Sequence, residues 1–285
     1  CDRATTILNN GKNQADILHC CNKLTRHVNG TQYGGGGAIG SQAITYRLQV
    51  LSHVLQEHPI TLPKNEREFI ADIVVALLED EKISKREVDK FAKNNNITNF
   101  HQAQELTELA IVKTARSIAL KQGSTEYKYN KIVELYQRQP NLAHRTSTTF
   151  LKQQYSTPAP IGYLAGIYAI RNKGGWKFPD QVFEPSAGNG LLTIASKPEN
   201  FIVNELDDTR RKHLWTQGYK EVWNKDASEP FTGYENSFDA VITNPPFGST
   251  EPVQYDGFEI TGLEHLMALR ALDTMRDTGR AAIII

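Results

Sequence analysis

The stretch Gln181-Val182-Phe183-Glu184-Pro185-Ser186-Ala187-Gly188-Asn189-Gly190-Leu191-Leu192-Thr193-Ile194 sets a short apolar run, a glycine-bearing turn and a second apolar run end to end. Its composition predicts a strand at 181–183, a tight loop over Glu184 to Gly190, and a helix opening at Leu191. Strand, glycine turn and helix start together let a ligand approach bare backbone at the carboxyl end of a parallel strand, where doubly wound sheets bind nucleotides. The loop lacks the Lys-Ser/Thr of a phosphate-cradling loop and the third glycine of a dinucleotide fingerprint. It also lacks the Gly-x-Ser-x-Gly of a nucleophile elbow, so Ser186 is not marked as a nucleophile.

Further along the chain, short β-branched or apolar runs alternate with helical segments: 201–204, 221–223, 238–243 and 281–285. Such alternation predicts a doubly wound, mainly parallel sheet with helices on both faces. Three of these runs end in groups suited to a ligand. Glu205 follows Phe201-Ile202-Val203-Asn204, roughly 20 residues beyond the glycine loop, where a carboxylate accepts hydrogen bonds from two ribose hydroxyls. Asp226 closes Asn224-Lys225-Asp226 after the run 221–223. Asn244-Pro245-Pro246-Phe247 follows the run 238–243. Two prolines fix the backbone there and remove two N–H donors, leaving the Asn244 side-chain oxygen and the Pro245 carbonyl as neighbouring acceptors. Such a pair suits an NH₂ group with its two hydrogens, and Phe247 adds a flat face on which a planar base or amide stacks.

The first half is different in kind. Ile44, Leu48, Leu51 and Leu55, then Phe69, Ile73, Val74, Leu77 and Leu78, then Leu109, Ala110, Val112 and Ile118 fall at the three- and four-residue steps of buried helical stripes. Gly34–Gly37, Pro59, Pro63, Lys93–Asn96 and Gly123 supply the breaks. A bundle of about five or six helices is expected, as an α-helical domain over residues 1–145, with the α/β domain over 146–285 and the join near 140–155. Gly35-Gly36-Gly37-Ala38-Ile39-Gly40 fits a dinucleotide fingerprint in form, but no strand precedes it, and it reads as a loop. Tyr127, Tyr129 and Tyr136 mixed with Lys128, Lys131 and Arg138 read as an amphipathic helix sooner than as a nucleic-acid surface.

Composition bounds the rest. The 285 residues are 39% hydrophobic and 22% charged with zero formal net charge, an ordinary globular balance. No apolar run approaches the ~20 residues of a membrane span and no signal peptide is visible, so a soluble, cytoplasmic protein is expected. Cys1, Cys20 and Cys21 are too few for a four-ligand zinc site, and His53 and His58 are misspaced for a helical metal pair, so no metal is expected. Residues 1–150 carry 19 basic against 15 acidic side chains and the remainder 13 against 17, a weak asymmetry that gives no global sign of nucleic-acid binding. Because the chain ends inside an apolar strand run, it is expected to be part of a longer protein.

Taken in order, these motifs resemble the catalytic domain of S-adenosylmethionine-dependent amino-methyltransferases, most closely the DNA adenine-N6 class. The resemblance covers residues 150 to 285. It implies a class I methyltransferase sheet, incomplete at the C-terminus after the fifth strand. Gln154-Tyr155-Ser156-Thr157-Pro158 looks like the family's opening motif, with Tyr155, Thr157 and Pro158 beside the methionine part of the cofactor. Glu184, Pro185, Ala187, Gly188 and Gly190 match its glycine loop. Glu205 falls at the ribose position, Asp226 at the adenine amino group, and Asn244, Pro245, Pro246 and Phe247 at the target amine, Asn244 also bordering the cofactor. Residues 262–285 resemble the next helix and fifth strand. The implied partners are DNA containing the target adenine and the C-terminal region of the same protein, which would carry the remaining strands and the base-sequence specificity. Helices ahead of the Gln154–Pro158 motif are similar to methylases of bacterial mobile elements, and restriction-modification is the implied setting. Two rivals remain: a methyltransferase for protein glutamine side chains, whose substrate amide presents the same two hydrogens, and a non-catalytic nucleic-acid-binding module.

Overall fold

The structure is a computed structural model that describes residues 62–79, 82–140, 156–170 and 181–285. The expected helix over 44–55, the glycine run, the cysteines, His53, His58, Gln154 and Tyr155 lie outside the described residues.

Four helices form the first layer: α1 (Lys64–Leu78), α2 (Lys85–Asn94), α3 (Phe100–Leu120) and α4 (Thr125–Arg138). Three of the four start at a side-chain cap. Ser84 and Glu87 exchange hydrogen bonds as a capping box on α2, Asn99 accepts from the Gln102 N–H on α3, and Ser124 accepts from the Tyr127 N–H on α4. Phe69, Ile73, Val74 and Leu77 of α1 are buried against Leu106, Leu109 and Val112 of α3 and Ile132 and Leu135 of α4, as the stripes predict. On α4, Tyr127 and Tyr136 are exposed while Ile132 and Leu135 face the core, the amphipathic arrangement expected of it.

Beyond residue 181 the chain builds a five-stranded parallel sheet from β1 (Val182–Glu184), β2 (Phe201–Asn204), β3 (Glu221–Trp223), β4 (Phe238–Thr243) and β7 (Met275–Ile283), in the order β3-β2-β1-β4-β7. The strands are apolar on both faces because both faces are covered. Val182, Phe201, Val203, Ala240 and Ile242 pack on one side with Leu192 and Leu214; Phe183, Ile202, Phe238 and Val241 pack on the other with Met267 and Ala271 of α7 (Leu263–Asp273). On that second side Phe183 and Phe238 stack with ring centroids 4.7 Å apart.

The chain leaves β1 toward β2 and later returns to the opposite side of β1 as β4. In open α/β sheets a ligand crevice forms at such a reversal, outside the carboxyl ends of the strands. Here that reversal brings the ends of β1 and β4 side by side.

One expectation is corrected and one element is added. No α-helix follows the glycine loop. Leu191–Thr193 makes a single 3-10 turn and Pro198–Asn200 another before β2 begins at Phe201. Close packing against α5 (Ala159–Ile170) accompanies the short turn: a Cβ on Gly162 would sit 2.5 Å from the Leu191 carbonyl oxygen. A hairpin that the sequence reading did not include, β5 (Ser249–Tyr255) and β6 (Phe258–Gly262), stands between Phe247 and α7. Its turn is Asp256-Gly257, both at positive φ (48° and 84°), the geometry of a two-residue hairpin turn.

The helical layer is continuous with the α/β part. Its buried core takes in Ala159 and Tyr163 of α5 and Leu191 and Ile194 after the glycine loop. The helix α3 is buried along most of its surface, including the polar side chains Glu105, Glu108, Thr114 and Arg116.

Candidate functional site

A cavity of about 440 Å³ opens at the carboxyl ends of β1, β2, β3 and β4, within the usual range for small-ligand sites. Of the residues singled out in the sequence, Thr157, Pro185, Ala187, Gly188, Glu205, Asp226, Asn244, Pro245, Pro246 and Phe247 line it. Pro158, Glu184 and Gly190 do not. Pro158 leads into α5, its carbonyl accepting the Gly162 N–H at 3.0 Å. Glu184 is fully buried below the loop, where its Oε1 accepts the Ser186 N–H at 3.2 Å. Gly190, at φ 98°, faces away from the cavity toward Tyr219, and a Cβ there would lie 2.2 Å from the Tyr219 hydroxyl.

Four of the loop's amides are already engaged. The N–H of Ser186 goes to Glu184, that of Ala187 to the Asn204 carbonyl at 3.0 Å, that of Gly188 to Glu205 Oε2 at 2.8 Å, and that of Gly190 to the Ala187 carbonyl at 2.8 Å. A loop that cradles phosphate keeps such donors aimed outward and leads into a helix N-terminus; this loop does neither. Its arrangement suits a ligand that brings donors or positive charge.

The side chains agree. Glu205 is 8% exposed, and its two oxygens take one N–H each, from Gly188 and from Asp207 (2.8 Å), so each keeps a further lone pair. Burial pushes its carboxyl above the usual carboxylate range, with the Asp207 N–H and the Arg210 charge pulling the other way. Asp226 Oδ1 accepts from the N–H (2.9 Å) and hydroxyl (2.7 Å) of Ser228. Asn204 holds these two strand ends together: its amide nitrogen donates to the Pro185 and Lys225 carbonyls at 2.8 and 2.9 Å, and its oxygen accepts the Lys225 N–H at 2.8 Å.

At the end of β4, Asn244 donates through Nδ2 to the Thr157 hydroxyl at 2.9 Å. Its Oδ1 is buried and has no hydrogen-bond partner, an unmet acceptor on a residue that lines the cavity. An acceptor left in that condition costs on the order of 1–3 kcal/mol until a donor arrives. Phe247 is 36% exposed beside it.

Two groups that the sequence did not single out matter here. Glu108, from α3 in the helical layer, lines the cavity and accepts a hydrogen bond from the Ser156 hydroxyl. Arg210, also in the lining, sits in the first turn of α6 (Asp208–Trp215), whose N-cap Asp207 accepts the N–H groups of Thr209 and Arg210. Its guanidinium is clamped from behind by Glu105 of α3 through two bonds of 2.9 and 3.1 Å. Burial opposes ionisation of Glu105, but the Arg210 charge and its hydrogen bonds outweigh that and hold the carboxyl below the usual range.

Among the described residues, no group of three or more His, Cys, Asp or Glu could hold a metal ion, and no helix is long and apolar enough to cross a membrane. No protein-family model, curated protein or solved structure matches the chain.

Proposed function

We propose that residues 156–285 form the catalytic part of an S-adenosylmethionine-dependent methyltransferase of the class I type that modifies the N6 amine of adenine in DNA. The observation that carries this reading is Asn244 Oδ1, buried and unpaired in a residue that shares one cavity with the carboxylates of Glu205 and Asp226. The cofactor fits the donor set on charge. Glu108, Glu205, Asp207 and Asp226 outnumber Arg210 and Lys225 in the lining, and four of the glycine-loop amides are spent, so a cation is favoured over a phosphate. Glu205 would hold the ribose hydroxyls and Asp226 the adenine amino group. When bound, S-adenosylmethionine supplies a methyl group activated by its sulfonium.

The chain's own residues would do the rest by positioning. An aromatic amine is a weak nucleophile because its lone pair is spread into the ring. Asn244 Oδ1 and the Pro245 carbonyl would each accept one of its hydrogens, favour a tetrahedral nitrogen and stabilise the positive charge that grows there. Asn244 Nδ2 donates to the Thr157 hydroxyl, and in that orientation Oδ1 is the end left for the substrate. Phe247 would stack on a base swung out of the duplex.

Calorimetry with S-adenosylmethionine is the first test. Glu205→Ala should lose roughly one to two decades of affinity, as when hydrogen bonds to a charged group are removed; unchanged affinity in a folded variant removes the assignment. Transfer of labelled methyl groups to DNA, RNA and protein offered in parallel then decides the substrate. Label found on a glutamine amide would assign the same site to the protein-modifying reaction.

A further inference from the structure

We infer that the helical layer completes the cofactor pocket by supplying Glu108 as the acceptor for an ammonium group, so that the amino-acid end of the ligand binds at α3. This rests on the proposal that the cavity takes S-adenosylmethionine.

Glu108 is 6% exposed, yet it reaches the cavity. Its environment is unfinished for a buried carboxylate. Arg210 is hydrogen-bonded to Glu105 through Nε and one terminal nitrogen, so its charge acts on Glu108 only from a distance, and among the described residues no salt bridge reaches Glu108. The Ser156 hydroxyl donates to it from the cavity wall and the Asn189 amide stands within hydrogen-bonding reach behind, both neutral donors that bring no charge. Burial and the neighbouring Glu105 push the Glu108 carboxyl up, partly countered by Arg210, so the group gains most from a cation that brings its own N–H donors. A sulfonium has no N–H to give; an ammonium has three.

Location supports the same end of the ligand. Asp226 and Glu205 close β3 and β2, the outer strands on one side of β1, whereas Ser156 and Thr157 precede α5 and meet Asn244 at the end of β4, on the other side. A ligand whose ribose lies on Glu205 therefore turns its far end toward Thr157, Ser156 and Glu108. That geometry gives the helical half a purpose in the chemistry: without α3, the pocket lacks a wall and its cation acceptor.

The test is calorimetry on the 285-residue chain with S-adenosylhomocysteine and with its deamino analogue, in which hydrogen replaces the α-ammonium. Wild type should bind the deamino analogue roughly ten- to a hundredfold more weakly. In Glu108→Gln that gap should close, because S-adenosylhomocysteine weakens while the analogue is unaffected. Ser156→Ala, which removes the aiming hydroxyl, should narrow the gap part of the way and serves if Glu108→Gln does not fold. Equal losses for both ligands, or a wild type that does not discriminate between them, overturns the inference and leaves the cofactor proposal standing. A wild type that binds neither S-adenosylmethionine nor S-adenosylhomocysteine overturns both.

Discussion

The glycine loop has a front and a back, and the two are built by opposite rules. On the back, most polar groups satisfy one another, Arg116 Nε being an exception. Asn189 donates to Glu105 at 2.7 Å, its side-chain oxygen meets His213 Nδ1 at 2.8 Å, and its carbonyl accepts from Gln217 at 3.0 Å. Beside it, Arg116 reaches Gln217 at 2.7 Å, Thr193 at 2.9 Å and Tyr219 at 2.6 Å. On the front, Asn244 Oδ1 has no partner, and among the described residues Glu108 makes no direct ion pair. Buried polar groups that satisfy one another fix a structure; those left open on residues that line a cavity are placed to meet a ligand. Substitutions behind the loop should therefore cost stability, and those in front should cost function.

The largest expected effect is behind. Glu105→Ala leaves the Arg210 guanidinium buried without its partner, which should destabilise the fold by about 3–5 kcal/mol. Urea unfolding measures this. The double substitution Glu105→Met with Arg210→Met should recover most of the loss, since the penalty comes from the stranded charge. A double variant as unstable as the single one would show that packing, and not charge, is what Glu105 provides.

In front, Asn244→Ala should lower single-turnover methylation in the enzyme by roughly two to three decades, the usual cost of losing one preorganised electrostatic partner. Cofactor affinity and melting temperature should barely move, because the one bond that Asn244 is seen to make is to Thr157. Equal losses of activity and stability would move Asn244 to the structural side of the loop. A smaller effect is expected at Phe247, exposed at the cavity and free of core duties. Phe247→Ala should weaken base capture by about 1–3 kcal/mol, and Phe247→Trp should keep much of the stacking.

The contrast also explains what could be read in advance. The parallel strands were legible because strands buried on both faces are continuously apolar and short, and β2, β3 and β4 fall at the predicted residues. On the front, Glu205, Asp226 and Asn244 were legible because each closes a strand, whereas Glu108, on α3, was not. Nor was the back. Glu105 and Arg210 are 105 residues apart, and in a linear sequence each looks like a solvated helix charge. Only the docking of α3 makes them a pair. The missing helix after Gly190 was illegible for a related reason: the approach of α5 at Gly162 belongs to tertiary packing, which local periodicity does not register. The hairpin did leave a signal, Asp256-Gly257 between Val253-Gln254-Tyr255 and Phe258-Glu259-Ile260, the strongest short-range mark of a two-residue turn.

The smallest effect is a pH dependence that separates the back of the loop from the acid beneath it. His213 is buried, and since the Asn189 amide nitrogen faces Glu105, its oxygen is what faces His213; Nδ1 therefore carries the hydrogen. Burial pushes the imidazole down to about 4 from its ordinary 6.5, with Glu105 opposing and Arg210 assisting. A histidine kept neutral in the fold adds no pH dependence above its unfolded value. As pH falls from 6.5 toward 4 the unfolded chain gains a proton that the folded chain refuses, so stability is lost, by roughly 1 kcal/mol between pH 7 and 5.5. Glu184 acts with the opposite sign. Burial holds its carboxyl well above the ordinary range, so its contribution to stability is present at acid pH and is lost as pH rises through its folded value. The difference between wild type and His213→Gln isolates the histidine: the variant, whatever its stability at pH 7, should lose less than wild type on going to pH 5.5. Parallel unfolding curves at both pH values in the two proteins would place His213 in contact with water and return that part of the loop's back to the solvent.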